Sequence, residues 1–171
     1  MLYELTARAA LLTRGTATRL VVNDRADVAA RAGADGVHLT TRSLEAVIVR
    51  QSFGPDFLIG VSTHTLAEAR AARDEGADFA VFGPVFDTPS KRAYGPPVGL
   101  ESLGEAAREL SPFPLVALGG VTCENAASAL TAGARGVAGI RLFADPLRLA
   151  QNVRGIMRAW SSTNKRLHPS R

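Results

Sequence analysis

Arg31-Ala32-Gly33-Ala34-Asp35-Gly36, Glu75-Gly76-Ala77-Asp78 and Ala132-Gly133-Ala134-Arg135-Gly136 are three versions of one phrase. In each, a glycine closes an amphipathic helix, taking the left-handed conformation that a Cβ disfavours, and an apolar run then begins. Such a junction delivers a helix into a strand, and three of them predict a repeated βα unit. Working outward, short apolar runs stand at Arg19–Asn23, Gly36–Leu39, Leu58–Ser62, Phe79–Gly83, Leu115–Leu118 and Gly136–Ile140. They are continuous rather than alternating, as strands covered on both faces are. Helical stretches separate them at Asp27–Ala32, Leu44–Phe53, Leu66–Glu75, Glu101–Leu110, Glu124–Ala132 and Pro146–Trp160, and a further helix, Tyr3–Thr13, comes first. Thr65 with Glu68, and Thr122 with Asn125, offer N-terminal caps.

Alternating strands and helices imply parallel strands joined by right-handed crossovers. An open sheet that binds a dinucleotide needs a Gly-rich turn after its first strand, and none follows Asn23. Barrels hold phosphates at the loops after their late strands, which is where this chain carries its paired glycines. The expected fold is α/β of the (β/α)8 TIM-barrel type, incomplete, with about six βα units where a full barrel has eight. One domain is expected over residues 1–161, followed by a basic, disordered tail over 162–171.

Composition narrows the function classes. The 171 residues can bury a sizeable core, and the apolar and charged fractions of 46% and 21% are those of a soluble globular protein. The net charge is +4 and the pI about 10.0, but the arginines are scattered and the only dense basic stretch is 164–171. That pattern suits attraction of phosphorylated metabolites better than a nucleic-acid footprint. The single cysteine, Cys123, excludes an intrachain disulfide and fits a reducing compartment. No apolar run reaches the roughly 18 residues that span a bilayer. Met1–Leu12 lacks the regions of a signal peptide, so a cytoplasmic location without a membrane partner is expected.

The chemistry-bearing residues cluster after the apolar runs. Leu118-Gly119-Gly120-Val121 ends the fifth run, and paired glycines let backbone N–H groups approach a phosphate; a tight turn is the alternative. Ile140-Arg141 ends the sixth run, and Arg141 can add a charge-assisted bond to the same anion. Thr88, Ser90 and Lys91 lie in the long loop after the fourth run and suit a cluster of anionic oxygens. Asn23-Asp24 ends the first run; Asp24 can ligate Mg²⁺ or cap the next helix, and the Asn23 amide can meet a phosphate oxygen. Ser62, at the end of the third run, can donate to a ligand. His38 sits inside a buried strand and reads as a hydrogen-bonded structural histidine, and Cys123 as incidental.

Taken together these segments resemble the thiamine phosphate synthase family, (β/α)8 barrels that include the related TenI-like thiazole tautomerases. The matching pieces are Val21-Val22-Asn23-Asp24-Arg25, Gly33-Ala34-Asp35-Gly36-Val37-His38-Leu39, Ile59-Gly60-Val61-Ser62-Thr63-His64-Thr65, Phe82-Gly83-Pro84-Val85-Phe86-Asp87-Thr88-Pro89-Ser90-Lys91 and Gly119-Gly120-Val121-Thr122. They run in family order across about residues 17–143. The resemblance implies a transferase that joins an aminopyrimidine diphosphate to a thiazole phosphate and releases diphosphate, in thiamine biosynthesis. It implies that Asn23 and Ser62 touch the pyrimidine diphosphate, Asp24 ligates Mg²⁺, and Thr88 and Ser90 take the thiazole phosphate. Lys91 would stabilise the leaving diphosphate, with Ser62 as the other catalytic group. Gly119, Gly120, Ile140 and Arg141 would complete the phosphate cradle.

Three departures from the family pattern carry expectations of their own. The family's first two strands and its Gln-x-Arg-x-Lys diphosphate grip are missing, and Ser43 stands where a second metal-ligating aspartate belongs. Arg141 replaces a serine at the last phosphate loop, while the tautomerase histidine position holds Pro84. Weakened Mg²⁺ binding and poor synthase activity are therefore expected, with a thiazole phosphate isomerase or a non-catalytic phosphate-binding paralogue as alternatives. Missing strands would also leave open sheet edges through which copies of the chain could pair.

Overall fold

The computed structural model describes residues 1–88 and 95–167. Along them run α1 (Leu2–Thr13), β1 (Val21–Asn23), α2 (Ala26–Ala32), β2 (Gly36–Leu39), α3 (Ala46–Phe53), β3 (Leu58–Thr63), α4 (Leu66–Asp74), β4 (Phe79–Phe82), α5 (Gly99–Glu109), β5 (Leu115–Ala117), α6 (Ala126–Thr131), β6 (Gly136–Val137), α7 (Ile140–Ala144) and α8 (Pro146–Leu167). The strands follow chain order, β1 to β6, with β1–β2, β2–β3 and β5–β6 paired in parallel. The α/β class with six βα units is borne out. Contacts divide the chain into two compact units, Met1–Ser62 with Arg70–Ala80 and Thr63–Ala69 with Val81–Arg171.

The recurring junction explains itself in hydrogen bonds. Gly33 caps α2 at φ 77°, and Gly76 follows α4 at φ 89°, both in the left-handed region. The aspartate two residues on then clamps the neighbouring strand. The N–H of Asp35 donates to Leu20 O at 2.8 Å while its Oδ2 accepts the Leu20 N–H at 2.7 Å. Asp78 repeats this with Ile59, at 2.8 Å and 2.7 Å. An arginine neutralises each carboxylate, Arg19 at 2.9 Å from Asp35 and Arg50 at 2.7 Å from Asp78. In the third copy Arg135 keeps only the backbone half, its N–H donating to Leu115 O at 2.8 Å. The phrase is thus a helix stop followed by a strand-entry clamp.

The Leu20 N–H, aided by Arg19, holds the Asp35 carboxyl below the ordinary carboxylate range. A carboxyl lowered on folding stabilises above its unfolded value, and that contribution disappears as pH falls through the folded value. Asp35→Asn should therefore lose about 1–2 kcal/mol at pH 7, and the gap to the native chain should close below about pH 4. Urea unfolding at both pH values checks this; a gap that persists at low pH contradicts it.

In the first unit, Val22, Val37 and Ile59 stand abreast in β1, β2 and β3 and are buried. α2 packs on β1 and β2, bringing the buried Ala26, Ala29 and Ala32, and α1 packs on α2. Small side chains there let helix and sheet approach closely, consistent with the alanine-rich composition. In the second unit, Val121, Ala126 and Leu142 form a buried cluster with Phe86, Cys123, Val137, Phe143 and Ile156 packed against it.

Two boundaries differ from the sequence reading. The sixth strand stops at Val137 instead of Ile140, because Gly139 turns the chain into α7, which Ile140 opens. α8 continues to Leu167, past Trp160 and into the stretch assigned to a tail from 162. No helix of the described residues is long and apolar enough to cross a membrane.

Candidate functional site

Parallel pairing fixes which side chains share a face. Asn23, His38 and Gly60 are register partners across β1, β2 and β3, and Ser62 lies two residues beyond Gly60. With side chains alternating along each strand, Asn23, His38 and Ser62 project from one face, opposite the buried Val22, Val37 and Ile59. His38 Nε2 lies 2.8 Å from Ser62 Oγ. The ring is held from a second side. A Cβ on Gly60 would sit 2.3 Å from Phe79 Cζ, so the glycine makes room for the phenyl ring. Phe79 in turn stacks on His38, with centroids 6.3 Å apart and planes at 24°. Burial pushes the His38 imidazole below its ordinary pKa, against the nearby charge of Asp24.

Asp24 follows Asn23 in the left-handed region, φ 61°, which aspartate and asparagine tolerate better than other side chains. Its N–H donates to His38 O at 2.9 Å. Its Oδ1 accepts hydroxyl hydrogens from Thr40, at 3.1 Å, and from Ser43. Ser43 Oγ also accepts the Thr40 N–H at 2.7 Å. The Ser43 hydroxyl is the main cause holding the Asp24 carboxyl below its ordinary value; Thr40, Arg42 and His38 add to it and burial opposes it. The helix-cap role open to Asp24 is not used, since α2 begins at Ala26 with Arg25 as its N-cap and no side-chain cap hydrogen bond. Among the described residues no group of three or more His, Cys, Asp or Glu is placed to hold a metal ion. The oxygens around Asp24 are hard donors, one carboxylate and two hydroxyls, where the family resemblance implies two carboxylates.

The second unit assembles a different set. Gly119 and Gly120 are left-handed, at φ 94° and 63°, and a Cβ on either would strike the loop after β4: Pro84 Cβ at 2.4 Å for Gly119, Asp87 O at 2.5 Å for Gly120. Both carbonyls are used, Gly119 O by the Phe86 N–H at 3.0 Å and Gly120 O by Asn125 Nδ2 at 2.9 Å. The N–H groups of Gly119 and Gly120 donate to nothing among the described residues. Thr88, buried and next to Asp87, accepts a hydrogen bond from the Arg141 guanidinium at 3.1 Å. So the loops that hold the paired glycines and Thr88 adjoin, and α7 brings Arg141 to Thr88. Ile140 is 86% exposed at the start of α7 and does not extend a strand toward them. The expected cap forms at Thr65, where Glu68 N–H reaches Thr65 Oγ1 at 3.1 Å, whereas Thr122 N–H reaches Asn125 Oδ1 at 2.8 Å in the turn before α6, which starts at Ala126 without a side-chain cap. Ser90 and Lys91 lie outside the described residues.

Sequence reading passed over the His38–Ser62 contact and the Thr40 hydroxyl. Alternation along β2 was the available signal for His38, which lies between the buried Val37 and Leu39 and so faces the other way.

The fold and loops define a parallel α/β chain in which each of the two units carries polar groups after the carboxyl ends of its strands. The chain belongs to the thiamine monophosphate synthase family, whose model matches residues 1–143. The thiamine-phosphate synthase of Anaeromyxobacter dehalogenans is 45% identical over 91% of this chain and 71% of its own length. That of Roseiflexus sp. is 46% identical over 74% of this chain and 53% of its own. The chain thus spans between half and three-quarters of these relatives. Among solved structures, the thiamine phosphate pyrophosphorylase of Pyrococcus furiosus superposes with a TM-score of 0.83 at 28% identity, covering 95% of this chain and 77% of that one.

Proposed function

We propose that this chain carries the thiamine-phosphate synthase reaction, joining an aminopyrimidine diphosphate to a thiazole phosphate with release of diphosphate. The observation that supports the reading lies in the second unit: two glycine N–H groups with no acceptor among the described residues, in a loop adjoining that of a buried threonine which an arginine of α7 already reaches. Backbone donors plus a guanidinium are what a phosphate dianion requires. In this reading Thr88, Ser90, Gly119, Gly120 and Arg141 take the thiazole phosphate. Asn23 and Ser62 take the pyrimidine diphosphate, and Lys91 offsets charge developing on the leaving group.

Mg²⁺ fits Asp24 only in company with substrate. One carboxylate and two hydroxyl oxygens are hard ligands, but Mg²⁺ held by a single carboxylate needs phosphate oxygens and water to fill its octahedron. Asp24 would anchor it, with Thr40 and Ser43 orienting the carboxylate. When bound, the ion supplies positive charge to the diphosphate.

Isothermal titration with thiazole phosphate, and with pyrimidine diphosphate with and without Mg²⁺, tests the reading. Binding of both, the second dependent on Mg²⁺, is the expected result. Binding of the thiazole phosphate alone, indifferent to Mg²⁺, replaces it with an isomerase or a non-catalytic phosphate-binding protein, the reading that Ser43 in place of a second carboxylate favours. Binding of neither removes the site.

A further inference from the structure

We infer that His38 is a positioning residue for the diphosphate-binding face: its Nε2–H donates to Ser62 Oγ, so that the Ser62 hydroxyl proton turns outward as a donor to an anionic oxygen. The inference rests on the proposed reading, in which Ser62 meets the pyrimidine diphosphate, and adds a residue and a proton arrangement to it.

A hydroxyl has one hydrogen to give and two lone pairs to receive. If Ser62 gave its hydrogen to His38, only lone pairs would face an incoming diphosphate, and anion and hydroxyl would repel. With the imidazole as donor, one lone pair is satisfied at 2.8 Å and the hydrogen is free for the anion. The surroundings fix the ring for that task. Phe79 stacks on it, Gly60 leaves the space that the phenyl ring occupies, and the β2–β3 register sets His38 and Ser62 diagonally on one face. Asn23, abreast of His38 on the same face, extends the donor row. A histidine placed only to fill the core needs none of these three arrangements toward a serine.

Two measurements test this. Long-range ¹H–¹⁵N correlation on the ligand-free protein reads the tautomer directly, and with three histidines in the chain a His38→Gln variant assigns the signal. The expected result is a protonated Nε2 with an unprotonated Nδ1; the opposite tautomer overturns the inference. Titration with inorganic pyrophosphate and Mg²⁺ then compares variants. His38→Phe and Ser62→Ala should each weaken binding about tenfold, and the double variant no further, because both remove one donor. His38→Gln, whose amide can still donate, should keep most of the affinity, and thiazole phosphate binding should move less than about twofold in all of them. Native chain that binds pyrophosphate while His38→Phe binds it equally well, or additive losses in the double variant, defeats the inference and leaves the proposed function standing. Native chain that binds no pyrophosphate removes both.

Discussion

Replacing Arg50 with alanine is expected to destabilise the fold by about 3 kcal/mol and to lower Tm by roughly 6–12 °C. The guanidinium leaves the last turn of α3 and spans two helix ends. Its NH1 donates to Gly54 O at 2.8 Å, Pro55 O at 3.1 Å and Phe57 O at 2.8 Å. Its Nε and NH2 donate to Gly76 O at 3.1 Å and 2.9 Å, and NH2 also reaches Asp78 Oδ2 at 2.7 Å. Helix C-termini leave carbonyls without intrahelical partners, and here one side chain serves those after α3 and after α4. The ion pair with Asp78 is the smaller part, because that carboxylate is 37% exposed and solvent screens it. The carbonyl bonds dominate. Lysine at position 50 should therefore recover less than half of the loss, since one ammonium cannot reach acceptors on two sides of a planar fork. Asp78→Asn, which removes charge but keeps an acceptor for the Ile59 N–H, should lose less than Arg50→Ala. Urea unfolding of the three variants settles the order; equal losses for Asp78→Asn and Arg50→Ala would mean that the ion pair, and not the capping, carries the stability.

Arg50 also marks where sequence reading runs out. The glycines at 33, 76 and 133 were legible because a helix stop is a local event, written within a few residues of the helix it ends. Asp35 and Asp78 belong to the same phrase, yet their partners Leu20 and Ile59 lie one strand away, so their clamping role appears only once strands are paired. Gly136–Ile140 misled for a related reason. Its apolar character persists through Ile140, but Gly139 is an extended residue opening a helix, and hydropathy does not distinguish the two. The site divides in the same way. Gly119, Gly120 and Asp24 were proposed from residue type at strand ends and Thr88 from a long loop, whereas the Arg141–Thr88 bond joins residues 53 positions apart and the His38–Ser62 contact depends on register. Ser43 was legible only through resemblance. That its hydroxyl satisfies Asp24 is a tertiary fact.

That last contact makes Asp24 the position with the largest expected effect on activity. Asp24→Asn should leave stability within about 1 kcal/mol of the native chain, since asparagine accepts the left-handed φ of 61° and its carbonyl oxygen can still receive the Ser43 or Thr40 hydroxyl. Only the charge is lost. In the proposed reading that charge anchors Mg²⁺ against the diphosphate, so the synthase rate should fall by about 10²–10³. Pyrophosphate affinity should stop responding to Mg²⁺, while thiazole phosphate affinity stays put. Ser43→Asp is the opposite change. It replaces the hydroxyl that chiefly lowers the Asp24 carboxyl with a like charge, so in the free protein the Asp24 carboxyl should rise toward and past its ordinary value. Folding stability near pH 7 should drop accordingly, because two adjacent carboxylates repel without a cation between them, and added Mg²⁺ should restore it. Thermal unfolding with and without Mg²⁺, beside a coupled assay for released diphosphate, separates the cases. If Asp24→Asn turns over at the native rate, or Ser43→Asp gains no protection from Mg²⁺, then the carboxylate at position 24 serves only to tie down Thr40 and Ser43.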